Sequence, residues 1–180
     1  MSDIFLKGSI DMSNTKVLVV MGSDSDFPVM ENCFKMLEKF DVAYEARVAS
    51  AHRTPERAIS LAKNAKEQGV QVIIAAAGLA AHLAGVLAAN TTLPVIGVPC
   101  KGGALAGVDA LYATVQMPTG IPVATVAIDG AANAAILACQ ILALSDEELS
   151  SKLSEYKTSL AESVDKRDAN LQDKIKNMNS

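Results

Sequence analysis

The chain has 180 residues, of which 50% are hydrophobic and 20% are charged, as in an ordinary single folded domain. Its net charge of −4, without a block of basic residues, argues against non-specific nucleic-acid binding. No uncharged apolar run is long enough to predict a membrane span, and the first residues lack the pattern of a secretion signal. The 3 cysteines, an odd number without CxxC spacing, favour a reducing compartment, so we expect a cytoplasmic protein.

Short apolar runs alternate with amphipathic segments along the chain. The runs predict strands at residues 17–21, 42–49, 72–75, 95–98 and 123–128. The amphipathic segments predict helices at 26–39, from Pro55 to a stop at Gly69, at 80–89, 105–115 and 131–144, and from about 146 onward. Thr54 is the expected N-cap before Pro55. Because a parallel crossover needs a dozen or more residues, this order predicts an α/β fold, a three-layer α/β/α domain with a five-stranded parallel sheet.

The sequence contains neither an internal repeat nor a sign of a second domain. We therefore expect one domain over residues 16–170, preceded by an N-terminal extension at 1–15 and followed by a C-terminal tail at 171–180.

Ligands of open parallel sheets bind beyond the carboxyl ends of the strands, so the segments after the strands are the candidate site. Polar and small residues collect there, at 22–26, 50–55, 78–85 and 99–103, and both histidines of the chain are among them. The same chain has no GxxxxGK[ST] loop, GxGxxG, HExxH or GxSxG pattern, and its histidines and cysteines lack zinc-site spacing.

In the first of these segments, Gly22 and the serines after it can present backbone amides and hydroxyls to a phosphate or ribose. Asp26 repels a phosphate but is a good acceptor for sugar hydroxyls. The alternative is an ordinary strand-to-helix turn in which Ser23 or Asp26 serves only as a helix cap.

The second segment places Arg53 directly before a helix start, where its guanidinium and the helix end both favour an anion. An imidazole exchanges protons near neutral pH, so His52 is a candidate general acid or base. The alternative is an exposed histidine beside a surface arginine. His82 is either a wall of the pocket or a buried, hydrogen-bonded core histidine.

The third and fourth segments are rich in small residues. Residues 75–78 and 80–81 either let a flat ligand approach the backbone or serve tight helix–sheet packing. Lys101, beside Gly102 and Gly103, either covers the site or is merely solvated.

Four sequence blocks resemble the N5-carboxyaminoimidazole ribonucleotide mutase family, the catalytic subunit of phosphoribosylaminoimidazole carboxylase in purine synthesis. They are MGSDSD at 21–26, SAHRTP at 50–55, AAHL at 80–83 and QMPTGIPV at 116–123, and the likeness runs from about residue 16 to 145. It implies a flavodoxin-like fold, a homo-octamer, and a cofactor-free shift of a carboxylate from the exocyclic nitrogen to C4 of an aminoimidazole ribonucleotide.

The resemblance also implies residue roles. Asp26 binds ribose hydroxyls, Arg53 holds the phosphate, and His52 is the general acid and base. The other positions that it assigns to the substrate pocket are Ser23, Ser50, the Gly78 loop and His82, the last in a supporting role near the carboxylate.

The chain departs from the family pattern at a few positions. Leu79 stands where a second glycine is usual, Ala84 where proline is usual, and Gly102–Gly103 where serine-type residues are common. A sister branch carboxylates aminoimidazole ribonucleotide directly with CO2, and it tends to carry lysine in place of Arg53. That direct carboxylase is the alternative activity. A flavin-binding or phospho-acceptor module is the alternative of another class, and the scarcity of aromatic residues disfavours the flavin.

Overall fold

The computed structural model describes residues 15–178. Its strands are β1 (Val17–Met21), β2 (Tyr44–Val48), β3 (Val72–Gly78), β4 (Val95–Cys100) and β5 (Ala124–Thr125). They form a parallel sheet in the order β2-β1-β3-β4-β5. This is the flavodoxin order, so the predicted α/β fold with a five-stranded parallel sheet is confirmed.

The helices are α1 (Phe27–Lys39), α2 (Pro55–Ala65), α3 (Leu83–Ala88), α4 (Val108–Val115), α5 (Ala131–Leu142) and α6 (Glu147–Met178). A one-turn 3-10 helix, Asp24–Asp26, precedes α1.

Helices cover both faces of the sheet. On one face Leu18 and Val20 pack with residues of α2 and α3. Val17 and Val19, which alternate with them along β1 and point to the other face, are also fully buried. There α1 packs against α5. The result is the three-layer arrangement expected of a parallel sheet.

Gly97 of β4 lets α3 and α4 lie close to the sheet. A Cβ at this position would overlap the methyl group of Thr114 in α4 and would lie 3.4 Å from Cβ of Ala84 in α3. The two helices therefore share the face that α2 covers, and their approach depends on the missing side chain.

The chain divides into two compact units, of which the first ends at Leu142 and the second begins at Ala143. The first holds the sheet and α1 to α5. The second holds α6, a polar helix of 32 residues whose first turn is capped by Asp146, since its Oδ1 accepts the N–H of Leu149 at 3.0 Å. The predicted bounds at 1–15, 16–170 and 171–180 stay predictions: residues 1–14 and 179–180 lie outside the described residues, and α6 continues past residue 170.

Four of the five predicted strands differ in length from those observed. The second is shorter by two residues at its start and one at its end, and the third continues through Gly78. The fourth continues through Pro99 to Cys100, because it stays paired with β3 as far as Gly78 opposite Cys100. The fifth keeps regular pairing only at Ala124–Thr125. It lies at the sheet edge with β4 as its neighbour, and after Thr125 it stays attached to β4 through single bonds rather than a full ladder.

Thr54 occupies the N-cap position of α2, but its side chain does not cap the helix. Its Oγ1 instead accepts the N–H of Ser50 at 2.9 Å and donates to the Ser50 carbonyl at 3.2 Å. The expected cap therefore closes the preceding loop, because the Ser50 backbone offers both a donor and an acceptor within reach.

Candidate functional site

A pocket of about 630 Å³ opens beyond the carboxyl ends of β1 to β4. That volume lies within the usual range for small-molecule sites. The residues predicted from sequence all line it: Ser23, Asp26, Ser50, His52, Arg53, Gly78 and His82. The topology brings them together because the parallel strands end at one edge of the sheet, with β1 between β2 and β3.

The loop after β1 is held by a reciprocal cap. The Ser23 N–H donates to Oδ2 of Asp26 at 3.0 Å, and the Ser23 hydroxyl accepts the N–H of Ser25 at 3.3 Å. Ser23 and Asp26 therefore do cap the turn before α1. This cap does not exclude a ligand, since Ser23, Ser25 and Asp26 also line the pocket.

Partial burial shapes the charge of Asp26. Desolvation raises the pKa of this carboxyl above its ordinary value, and the nearby negative charge of Asp24 adds to the rise. Hydrogen bonds from the backbone of Ser23 and Gly22 oppose it. Asp26 is therefore a partly buried acceptor in the pocket lining, where it can accept hydrogen bonds from the hydroxyl groups of a ligand.

The loop after β2 is closed by Ser50 and presents Arg53 outward. The Ser50 hydroxyl accepts the N–H of Arg53 at 3.1 Å, while Thr54 bonds to the Ser50 backbone on the other side. Arg53 is exposed, and within residues 15–178 no carboxylate forms a salt bridge with it. Its guanidinium is thus available to bind an anion beside the start of α2.

The two histidines of the chain form a pair in this pocket. Nε2 of His52 lies 2.9 Å from Nδ1 of His82, and the rings meet edge to face at 72°. One of the facing nitrogens must donate and the other accept, so the pair shares one proton between them. Both side chains are exposed, and the alternative of a buried core His82 is wrong. The sequence did not predict this pairing, because 30 residues separate the two rings.

Small residues after β3 serve two purposes. Ala75, Ala76 and Ala81 are buried, as expected for tight packing. Gly78 lies in the pocket lining, where a Cβ would come within 3.2 Å of the Cys100 carbonyl oxygen. A side chain at this position would therefore crowd the end of β4 beside the pocket.

The loop after β4 completes the lining with Lys101, Gly102 and Gly103. Its position depends on Asp129, which sequence reasoning did not select. Oδ1 of Asp129 accepts the Lys101 N–H at 2.8 Å, and the Asp129 N–H donates to Pro99. The signal in the sequence that could have identified Asp129 is its position after the predicted fifth strand, because the ends of the last two strands meet at one edge of the sheet.

Three further findings concern the part of the chain that the structure describes. No group of three or more His, Cys, Asp or Glu is arranged there to hold a metal ion. Burial raises the pKa of the Cys100 thiol to about 12, so it is a weak nucleophile near neutral pH. Over residues 15–178, no helix combines the length and the apolar character needed to cross a bilayer.

Residues 16–163 match the AIR carboxylase family. The chain is 60% identical over 142 residues to the N5-carboxyaminoimidazole ribonucleotide mutase of Pyrococcus abyssi, covering 79% of this chain and 82% of that protein. It is 53% identical to the mutase of Thermotoga maritima, covering 83% and 87%. The crystal structure of Treponema denticola PurE superposes with a TM-score of 0.77 at 30% identity, covering 87% of this chain and 98% of that one.

Proposed function

Because the chain belongs to the AIR carboxylase family, we propose that it is an N5-carboxyaminoimidazole ribonucleotide mutase of purine biosynthesis. The predicted family and its isomerase activity are confirmed by relatives of that name with 53% to 60% identity over most of the chain. The observation that carries the proposal within the structure is the His52–His82 pair beside an exposed arginine in one pocket.

The substrate spans the four loops. Its phosphate binds the Arg53 guanidinium, which has charge and a fork of donors to offer. The ribose hydroxyls donate to Asp26, and Ser23 supports them from the same turn. The imidazole ring then lies toward Ser50 and the Gly78 loop, where small side chains leave room for a flat base.

The reaction moves one carboxylate and returns one proton. The bond between the exocyclic nitrogen and the carboxylate carbon breaks, and this nitrogen takes a proton from His52 as CO2 forms. The electron-rich C4 attacks the carbon of CO2, and His52 then removes the C4 proton. The proton given equals the proton taken and the carboxyl carbon leaves and re-enters as CO2, so no oxidant or reductant is needed.

His82 supports this exchange. Its Nδ1 is within hydrogen-bond distance of Nε2 of His52, so it holds the His52 ring in place and can keep a proton between the two steps. The pocket contributes by holding CO2 beside C4, since proximity replaces a bimolecular encounter with an intramolecular step.

Direct carboxylation of aminoimidazole ribonucleotide by CO2 is the second candidate, since it uses the second half of the same reaction. The names of the 53% to 60% identical relatives favour the mutase. The deciding experiment supplies each substrate separately to the purified protein. Product from N5-carboxyaminoimidazole ribonucleotide, at a rate well above its formation without enzyme, supports the mutase. Product only from aminoimidazole ribonucleotide plus bicarbonate identifies the carboxylase.

The proposal extends to assembly, location and cofactors. A homo-octamer is supported by large apolar side chains on the surface of the isolated chain, among them Phe27, Val48 and Tyr112, because such residues favour contacts between subunits. A cytoplasmic location is supported by the free, buried cysteines Cys33, Cys100 and Cys139. Light scattering tests the assembly, and full activity after dialysis against a chelator tests the cofactor-free reaction.

A further inference from the structure

Leu79 holds a backbone conformation that side chains rarely adopt. Its φ is 54°, in the left-handed region that glycine favours. The residue lies in the tight turn between β3 and α3, where the Ala81 N–H donates to the Leu79 carbonyl at 2.9 Å. A leucine in this turn carries a conformational cost that glycine would avoid.

Core packing does not explain this leucine, because its side chain is 56% exposed. Instead the side chain lies against the loop after β4. A Cβ at Gly103 would come within 2.6 Å of Cδ2 of Leu79, so the methyl group occupies the space that a side chain at 103 would need. Both residues line the pocket. Leu79 thus bridges the loops after β3 and β4 at the rim.

We propose that Leu79 is an apolar wall that retains CO2 in the pocket between its release and its capture, and that position 103 is glycine to make room for this wall. The inference rests on the proposed mutase function. CO2 is uncharged and makes no strong polar contact that could hold it, so its escape is limited by the walls of the pocket.

Escape and capture are competing outcomes of one intermediate. When CO2 is captured, a bond forms between its carbon and C4, and the C4 proton passes to His52. When CO2 escapes, the nitrogen keeps its new proton, His52 regains a proton from water, and aminoimidazole ribonucleotide is left behind. The ratio of aminoimidazole ribonucleotide to carboxylated product, corrected for decay without enzyme, therefore measures the leak.

The test compares Leu79→Gly and Leu79→Ala with the native enzyme. We expect the leak ratio to rise about fivefold or more in both variants, and incorporation of label from 13C-bicarbonate into the product to rise with it. Leu105→Ala is the matched control, since Leu105 is 61% exposed and does not line the pocket. Its ratio should equal that of the native enzyme.

The stability of the Leu79→Gly variant distinguishes this role from a purely structural one. Glycine suits the Leu79 backbone, so the denaturation midpoint of Leu79→Gly should be no lower than that of the native protein. A lower midpoint, or an unchanged leak ratio in variants that still form product, would overturn the inference. Absence of mutase turnover in the native protein would instead overturn the proposed function, so the two failures are distinct.

Discussion

The carboxylate of Asp129 accepts the backbone N–H of Lys101 at 2.8 Å, although 28 residues separate the two along the chain. Asp129 follows the short edge strand β5, and Lys101 begins the loop that completes the pocket. A residue outside the pocket lining thereby holds the loop that forms part of that lining. The bond also joins the ends of β4 and β5 where regular pairing has already stopped.

Substitutions of Asp129 separate its hydrogen bond from its backbone conformation, since its φ of 57° is left-handed. Asp129→Ala loses the acceptor and is strained, so we expect about 1–3 kcal/mol less stability and a higher KM. Asp129→Asn keeps an acceptor and tolerates this φ, and should stay close to the native protein. Asp129→Gly also loses the acceptor, but glycine adopts this φ without strain. Urea unfolding and KM measure the series, and equal KM values throughout would show that the loop needs no anchor.

The contact between the two histidines predicts that substitutions of His52 and His82 lower kcat to different extents. His52→Asn should keep the fold and ligand binding while kcat falls by about a hundredfold or more, because the proton carrier is gone. His82→Asn, whose amide can replace Nδ1 toward His52, should lose less activity than His82→Ala. Because the chain has only 2 histidines, NMR of the imidazole nitrogens can assign each ring and its proton directly. Native-like kcat in His52→Asn would remove His52 from the mechanism.

Arg53 should act on substrate binding. Arg53→Ala loses the charged fork and should raise KM by about tenfold or more, whereas Arg53→Lys keeps the charge and should raise it less. Arg57→Ala is the matched control, since Arg57 is exposed on the next turn of α2 and does not line the main pocket. An unchanged KM in Arg53→Ala would place the phosphate elsewhere.

The ionised Asp26 carboxylate should lower the stability of the folded protein near neutral pH, although it helps to bind the substrate. Its pKa is raised above the ordinary 3.8 in the folded protein, so its stabilising contribution is complete below about pH 3.8 and is lost as the pH rises through the raised pKa. Asp26→Asn stays neutral and keeps an oxygen for the Ser23 N–H. It should therefore be more stable than the native protein at pH 7 but not near pH 3, and its KM should rise about tenfold.

Glu31→Gln serves as the control for that experiment, because Glu31 is exposed on α1 and does not line the pocket. Its KM should stay native. Urea unfolding at several pH values measures the stability difference. A difference between Asp26→Asn and the native protein that does not change with pH would contradict the role given to the Asp26 charge.

The sequence allowed the fold and the pocket residues to be predicted because the apolar runs mark the strands and parallel strands end at one edge. It did not reveal that His52 and His82 meet, since their distance depends on how two loops turn back over the sheet. Thr54 likewise had two acceptable partners, the helix amide and the Ser50 backbone, and only the loop geometry selects between them. The hydrogen bond from the Lys101 N–H to Asp129 was not predicted either, because it forms beyond the short strand β5, where regular pairing with β4 has ended.

Among residues 15–178, those that line the pocket all fall between Gly22 and Gly103, within the first four strands and the loops after them. Residues 104–142, the later part of the compact unit that ends at Leu142, contain the edge strand β5, the helices α4 and α5, and Asp129. Exchange of this later part between relatives should therefore transfer the anchor without transferring ligand preference, provided an aspartate or asparagine is retained at position 129. Natural or engineered hybrids joined after residue 103 would inherit their chemistry from the amino-terminal parent.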